Sequence, residues 1–400
     1  MKSRLIIISV IAVSVGLFLF FFVFRSNSIS VSTVAVDPQE KGLAAIGELF
    51  GPKEEKPVET PVVISLKLAN PPEKMNVLYA TSWSASSKTK MDYLTDLAKT
   101  TEANALVVDI KDYSGLLAYK TDNPDLQKYI TVESRIKDPS GLVKTLHGEG
   151  IYTIARIVVF QDPALAAKRP DLAIKNSKTG KVWTDHKKLS WVDPASKDVW
   201  DYNIALAKDA FAKGFDEVNF DYVRFPSDGD LTVMSYPSYN SATRTKSETI
   251  RDFFVYLRTS LKDEKISVDL FGLTVLASDD LGIGQVIEDT FGNVDYVCPM
   301  IYPSHFAPGF MGYKNPASYP YEVIKHSMEE ADKKLAAWKI ANPDIPAAKI
   351  RPWLQDFNMG ADYGVPEVKG QIKAVIETAD SGWMMWSPRN VYTSGALNKR

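Results

Sequence analysis

The stretch G-F-D-E-V-N-F-D-Y-V-R-F-P, residues 214–226, decides how the chain is read. Residues 217–225 have the aromatic and β-branched content of a buried strand. Asn219, Asp221 and Arg224 therefore put polar and charged groups where an apolar run belongs. Isolated charges are costly to bury and collect where their chemistry is used. A carboxylate near the C-terminal end of a strand, in a chain that alternates strands and helices, sits where α/β barrels keep their active sites.

Working outward, the alternation repeats eight times. Strands are expected at 76–83, 105–112, 152–160, 217–225, 266–272, 294–302, 350–357 and 382–387. Helical periodicity falls between them. At 88–102, for example, Met91, Leu94, Leu97 and Ala98 share one face. This pattern predicts an α/β protein with a (β/α)₈ TIM-barrel fold over residues 75–400. A doubly wound sheet fits less well, because no glycine-rich phosphate turn follows the first strand. Only residues 387–400 follow the eighth strand, too few for a full closing helix, and part of the 40–70 region is expected to cover that gap.

Ahead of the barrel, residues 5–24 run without a charge and follow Lys2 and Arg4. The run is long enough to cross the roughly 30 Å hydrocarbon core, and the flanking charges put everything after it outside the cell. Residues 1–25 are thus expected to be a single-pass transmembrane anchor at the cell membrane. A cleaved signal peptide and a secreted protein are the alternative. Residues 26–74, with G-P-K-E-E-K-P-V-E-T-P and N-P-P-E-K, have the composition of a proline-stiffened linker.

The formal net charge is −2 with both signs interspersed, so nothing electrostatic suggests a nucleic-acid partner. The single Cys298 allows no internal disulfide. Four scattered histidines without H-x-x-x-H spacing argue against a histidine-built metal site, and neither a G-x-S-x-G elbow nor a P-loop is present. No cofactor is expected.

Strand parity puts Asn219 and Asp221 on one face of the fourth strand and Arg224 on the other, unless the strand end bends. On the fifth strand Asp269 stands alone among apolar residues. Two carboxylates on adjacent strands are what glycoside hydrolysis requires: one attacks or activates water and the other protonates the leaving oxygen. Asp221 is therefore the expected nucleophile or base and Asp269 the expected acid. Arg224 is a candidate orienting partner for Asp221. Asp109 and Lys111 share a face at the end of the second strand. Arg156, mid-strand in the third, needs a carboxylate, for which Asp109 and Asp221 both qualify. Tyr302, His305, Trp353 and Trp386 fall at or beyond strand ends, where rings can stack on sugars. Asn219 and Gln355 complete the candidate substrate-contacting set. Asp193, before Pro194, reads as a helix cap.

With those residues in view, the chain resembles a family of bacterial glycoside hydrolases. The likeness rests on D-I-K-D-Y-S-G at 109–115, W-V-D-P at 191–194 and, above all, the stretch at 214–226. It implies a TIM barrel similar to the α-amylase type, whose strand-four aspartate is the nucleophile and corresponds by position to Asp221. The strand-five acid of that type is normally Glu, and Asp269 is its nearest match. Chitinases have a similar strand-four motif, but Val223 occupies the position of their proton donor. The expected function is a membrane-anchored extracellular hydrolase of a polysaccharide. A non-catalytic glycan-binding or wall-organising barrel is the alternative. A third possibility is a hydrolase with a metal held by Asp109, Asp221 and Asp269.

Overall fold

In the computed structural model of the protein, residues 66–379 and 381–400 are described. Eight parallel strands form the expected barrel: β1 Met75–Ala80, β2 Ala105–Lys111, β3 Tyr152–Val158, β4 Glu217–Asp221, β5 Lys265–Phe271, β6 Tyr296–Met300, β7 in two segments, Lys349–Ile350 and Trp353–Gln355, and β8 Gly382–Trp386. Each strand pairs in parallel with the next, and β8 pairs with β1 through Met75 and Gly382, so no edge remains open. The predicted 350–357 strand is broken at Arg351–Pro352. Proline has no N–H to give the ladder, and a strand tolerates it only at such an interruption.

Alternation along the strands builds two apolar layers. Leu78, Leu106, Val108, Ile157, Val218, Phe220, Val268 and Leu270 point outward into a core shared with the surrounding helices. Val77, Tyr79, Ala105, Val107, Ile154, Cys298, Trp353 and Met384 point inward and fill the barrel. The helices start where the sequence supplies caps. Thr245 and Glu248 form a reciprocal capping box on Lys246–Ser260, and Asp138 accepts from the Gly141 N–H at the head of Pro139–Gly148. The longest helix, Pro320–Ala341, packs against Val365–Ile376.

No α-helix follows β8, only a short 3-10 turn at Ser394–Ala396. Residues 387–400 instead fold back over β1. Asn390 Oδ1 accepts from the Thr81 N–H at 2.9 Å, and Asn390 Nδ2 and the Tyr392 hydroxyl both donate to the Tyr79 carbonyl. The tail ends in a bridge between Thr101 and Lys399. The gap at the end of the barrel is thus closed by the tail. The described part of the 40–70 region sits elsewhere, with the Leu68 N–H on Asp216 Oδ1 just ahead of β4 and the Leu68 side chain against the inner layer.

The apolar run at 5–24 and linker residues 26–65 lie outside the described residues. Among the described residues no helix is long and apolar enough to cross a membrane.

Candidate active site

Carboxylates from three strands converge on Arg156 of β3. Its Nη1 donates to Asp109 Oδ1 at 2.6 Å, its Nη2 donates to Asp221 Oδ2, and its Nε lies 3.6 Å from Asp269 Oδ2. The register explains the meeting: Arg156 stands opposite Asp109 on one side and Asn219 on the other. Tyr79, inward on β1, donates its hydroxyl to the second oxygen of Asp109. The Tyr79 ring stacks on Trp386, and the guanidinium lies 5.4 Å from the Trp386 ring centre.

Asp221 and Asp269 have different surroundings. Asp221, 3 % exposed, is held by Arg156 and accepts the Tyr222 N–H on Oδ1 at 2.5 Å. Asp269, 1 % exposed, accepts on Oδ1 from Asn219 Nδ2 at 2.9 Å and from Trp353 Nε1 at 2.8 Å, while its Oδ2 has no hydrogen-bond partner. Burial first, and then the negative charge of Asp221, push the Asp269 carboxyl up to about 8. Near neutrality it keeps its proton. Burial also raises Asp109.

A cavity of about 670 Å³ opens above these groups, lined by Arg156, Asp221, Arg224, Asp269, Tyr302, His305, Trp353 and Trp386 among the expected residues. Arg224 reaches it because the chain turns at Tyr222, which holds φ at +54° and reverses the strand parity beyond Asp221. Arg224 makes no ion pair with Asp221, so the orienting role expected of it falls to Arg156. Burial depresses the His305 imidazole, leaving it a neutral ring at the cavity wall.

Four expected contacts are not in the cavity lining. A bulge in β2 sets the two residues after Asp109 against a single step of β3 and turns Lys111 outward. There Lys111 pairs with Asp162 at 2.6 Å and lies over the Tyr202 ring, so it does not share a face with Asp109. Asp109 and Asn219 stand behind the lining and position Arg156 and Asp269. Gln355 is tied to Ser304, Phe357 and Gln371 and supports the loop after β6. Asp193 does not cap the following helix. It clamps a loop, with Oδ2 accepting the Ser238 and Tyr239 N–H groups. The metal possibility fails for a positive reason: the Arg156 guanidinium fills the space among the three aspartates. Among the described residues no group of three or more acidic, His or Cys side chains could hold an ion.

The lining also includes Lys187, Asp228, Phe271, Met300 and Phe357. Phe271 shares parity with Asp269 and could have been read from the sequence, as could inward-facing Tyr79. Lys187 and Asp228 come from loops and carry no sequence signal. Glu217, on the same face as Asp221, was likewise overlooked: it is buried against Arg351 from β7, with Ser267 Oγ donating to it at 2.5 Å.

A closed (β/α)₈ barrel with acidic residues gathered at the C-terminal ends of β4 and β5, under an aromatic-lined mouth, defines a barrel of the glycosidase class. The chain belongs to the family described as "Putative glycosyl hydrolase domain", which matches residues 77–392. Among solved structures it is similar to a hypothetical protein from Ruminiclostridium thermocellum ATCC 27405, at 38 % identity over 51 % of this chain and 98 % of that one, with a TM-score of 0.44. It also resembles the PgaB (BpsB) glycoside hydrolase domain from Bordetella bronchiseptica, at 12 % identity over 81 % of this chain and 99 % of that one, with a TM-score of 0.56. The second likeness is one of fold. No curated protein sequence matches the chain.

Proposed function

We propose that the protein cleaves a polysaccharide by a two-carboxylate mechanism, with Asp221 as nucleophile or base and Asp269 as the acid. The observation that carries this reading is the unequal pair facing one cavity. Asp221 is paired with Arg156, while Asp269 is raised to about 8 and its Oδ2, 3.6 Å from Arg156 Nε, makes no hydrogen bond. A single guanidinium reaches both groups. That keeps them within the upper limit of about 9.5 Å that glycosidase geometries allow.

In the reaction Asp269 gives its proton to the glycosidic oxygen as the bond to the anomeric carbon breaks. Asp221 either bonds to that carbon or takes a proton from the water that does so. Arg156 pairs with Asp221 and orients it. The rings of Trp386 and Tyr302 line the cavity where a sugar can stack, and buried Trp353 holds Asp269 beneath them.

The test is a panel of polysaccharides assayed with the wild type and with Asp221→Asn and Asp269→Asn. Each substitution is expected to lower turnover by about 10²- to 10⁴-fold on any substrate found. Full activity in both variants would remove the assignment.

The depth of Asp269 favours one other reading, a glycan-binding barrel without catalysis. It predicts oligosaccharide binding with no product after prolonged incubation. The charge-free run at 5–24 after Lys2 and Arg4 supports a membrane-anchored protein whose barrel lies outside the cell. The chain should then sediment with membranes and be cut by protease added to intact cells. Recovery in the cytosolic fraction would refute that location.

A further inference from the structure

We propose that the cavity accepts a carboxylate-bearing sugar, a uronic acid unit of an acidic polysaccharide, and that Arg224 selects it. The proposal rests on the glycosidase reading of the same cavity and names its substrate class.

Four Lys or Arg side chains are buried among the described residues: Lys111, Arg156, Arg224 and Arg351. Three have carboxylates, in Asp162, in Asp109 with Asp221, and in Glu217. Arg224, 8 % exposed, has none within ion-pair distance. Its Nη1 donates to the Phe225 carbonyl at 3.0 Å and to Ser227 Oγ at 3.2 Å. Nε and Nη2 make no hydrogen bond, and neither is among the sealed, unsatisfied atoms. That leaves one complete edge of the guanidinium available in a residue that lines the cavity.

The slot holding it is built. The guanidinium lies 4.7 Å from the Trp191 and Phe271 ring centres and 5.0 Å from that of Tyr222. Its presence in the cavity depends on the left-handed backbone at Tyr222, a strained conformation of the kind kept at ligand sites. A buried cation without a counter-charge is unfavourable until a ligand supplies one. Two parallel N–H donors on one edge match the two oxygens of a carboxylate, whereas a neutral hydroxyl leaves the charge uncompensated. Lys187, exposed at the same lining, adds a second cation at the rim. Asp228 also lies at the rim but makes no ion pair with Arg224.

The test is calorimetric titration of the full chain with oligomers of galacturonate, glucuronate and mannuronate. Each is compared with its carboxyl-reduced neutral counterpart, and a sulfated neutral oligosaccharide is included. At least one acidic oligomer is expected to bind about tenfold or more tightly than its reduced form. Arg224→Gln should lose about ten- to a hundredfold in affinity for the acid and nothing for the reduced form. Arg224→Lys keeps the charge without the fork and should fall between them, and Lys187→Ala, at an exposed position, should weaken only the acidic ligand. Melting curves of each variant separate lost binding from lost folding. The proposal is overturned if no acidic oligomer binds, if none is preferred over its reduced form, if the sulfated sugar is preferred, or if folded Arg224 variants bind like the wild type. Arg224-dependent binding without cleavage would instead sink only the hydrolase reading. Faster cleavage of reduced than of acidic oligomers would sink only this one.

Discussion

Asp269 owes its proton to its neighbours, and that fixes the sign of two pH effects. Its folded pKa of about 8 lies far above the ordinary carboxylate value of 3.8, because burial and Asp221 both oppose ionisation. The folded state therefore binds more protons than the unfolded chain between those values. The contribution of Asp269 to stability is fully present below about pH 4 and is lost as pH rises through about 8. Asp269→Asn, which keeps the acceptor and cannot ionise, should be more stable than the wild type at pH 8 in urea titrations, with the difference shrinking toward pH 4. An acid role predicts in addition that turnover of the wild type falls as pH rises through about 8. Arg156 poses the opposite case. Arg156→Met leaves Asp109, Asp221 and Asp269 without their common cation and should destabilise the fold by about 3–5 kcal/mol at pH 8. The loss should be smaller at pH 4, where Asp109 and Asp269, both raised by burial, carry more protons, and a loss unchanged with pH would count against the ion-pair account.

Among the elements, β2 and β4 each depart from regular geometry just where they enter the site. The bulge after Asp109 sends Lys111 to Asp162 on the outside, leaving Arg156 as the cation within the acidic cluster. The turn at Tyr222 does the reverse for Arg224, carrying it inward after Asp221. The third device is at the seam. Gly382 begins β8 with φ at +84°, and a Cβ there would stand 2.2 Å from the Met75 carbonyl oxygen of β1. Since this contact is with backbone in the closing strand pair, Gly382→Ala cannot be relieved by a rotamer change. It should cost more than about 2 kcal/mol in chemical denaturation, combining overpacking with a left-handed backbone.

Across the whole barrel, a second ion pair lies on the inward face below the site. Glu217 of β4 and Arg351, at the break in β7, are both fully buried, with Arg351 also 4.2 Å from the Tyr296 ring centre. This pair joins strands that are not neighbours in the sheet, so it ties opposite parts of the wall together. Arg351→Met alone should destabilise by about 3–5 kcal/mol, because buried Glu217 loses its cation. The double variant Glu217→Leu with Arg351→Met should recover most of that loss in thermal melts. A double variant as unstable as the sum of the two single variants would mean that the pair has no such coupling.

The eight strands were legible because each has an apolar outward face that must meet a helix, and that requirement is written in neighbouring residues. Parity alone aligned Asn219 with Asp221, and the lone acid at Asp269 stood out for the same reason. Lys111 lies on the other face from the one parity gave it, and Arg224 reaches the cavity only because the strand end turns, since one bulged residue or one left-handed residue inverts everything beyond it and neither leaves a mark in composition. Gln355 and Asp193 have the residue types of a site but spend their hydrogen bonds on loops. By itself, then, the sequence determined the alternating architecture and which residues β4 and β5 turn toward the barrel axis. Only the tertiary structure decided that Arg156 belongs to Asp109 and Asp221, that Asp269 keeps its proton and that Arg224 has no acid, because ion pairing and desolvation depend on side chains brought together from strands distant along the chain.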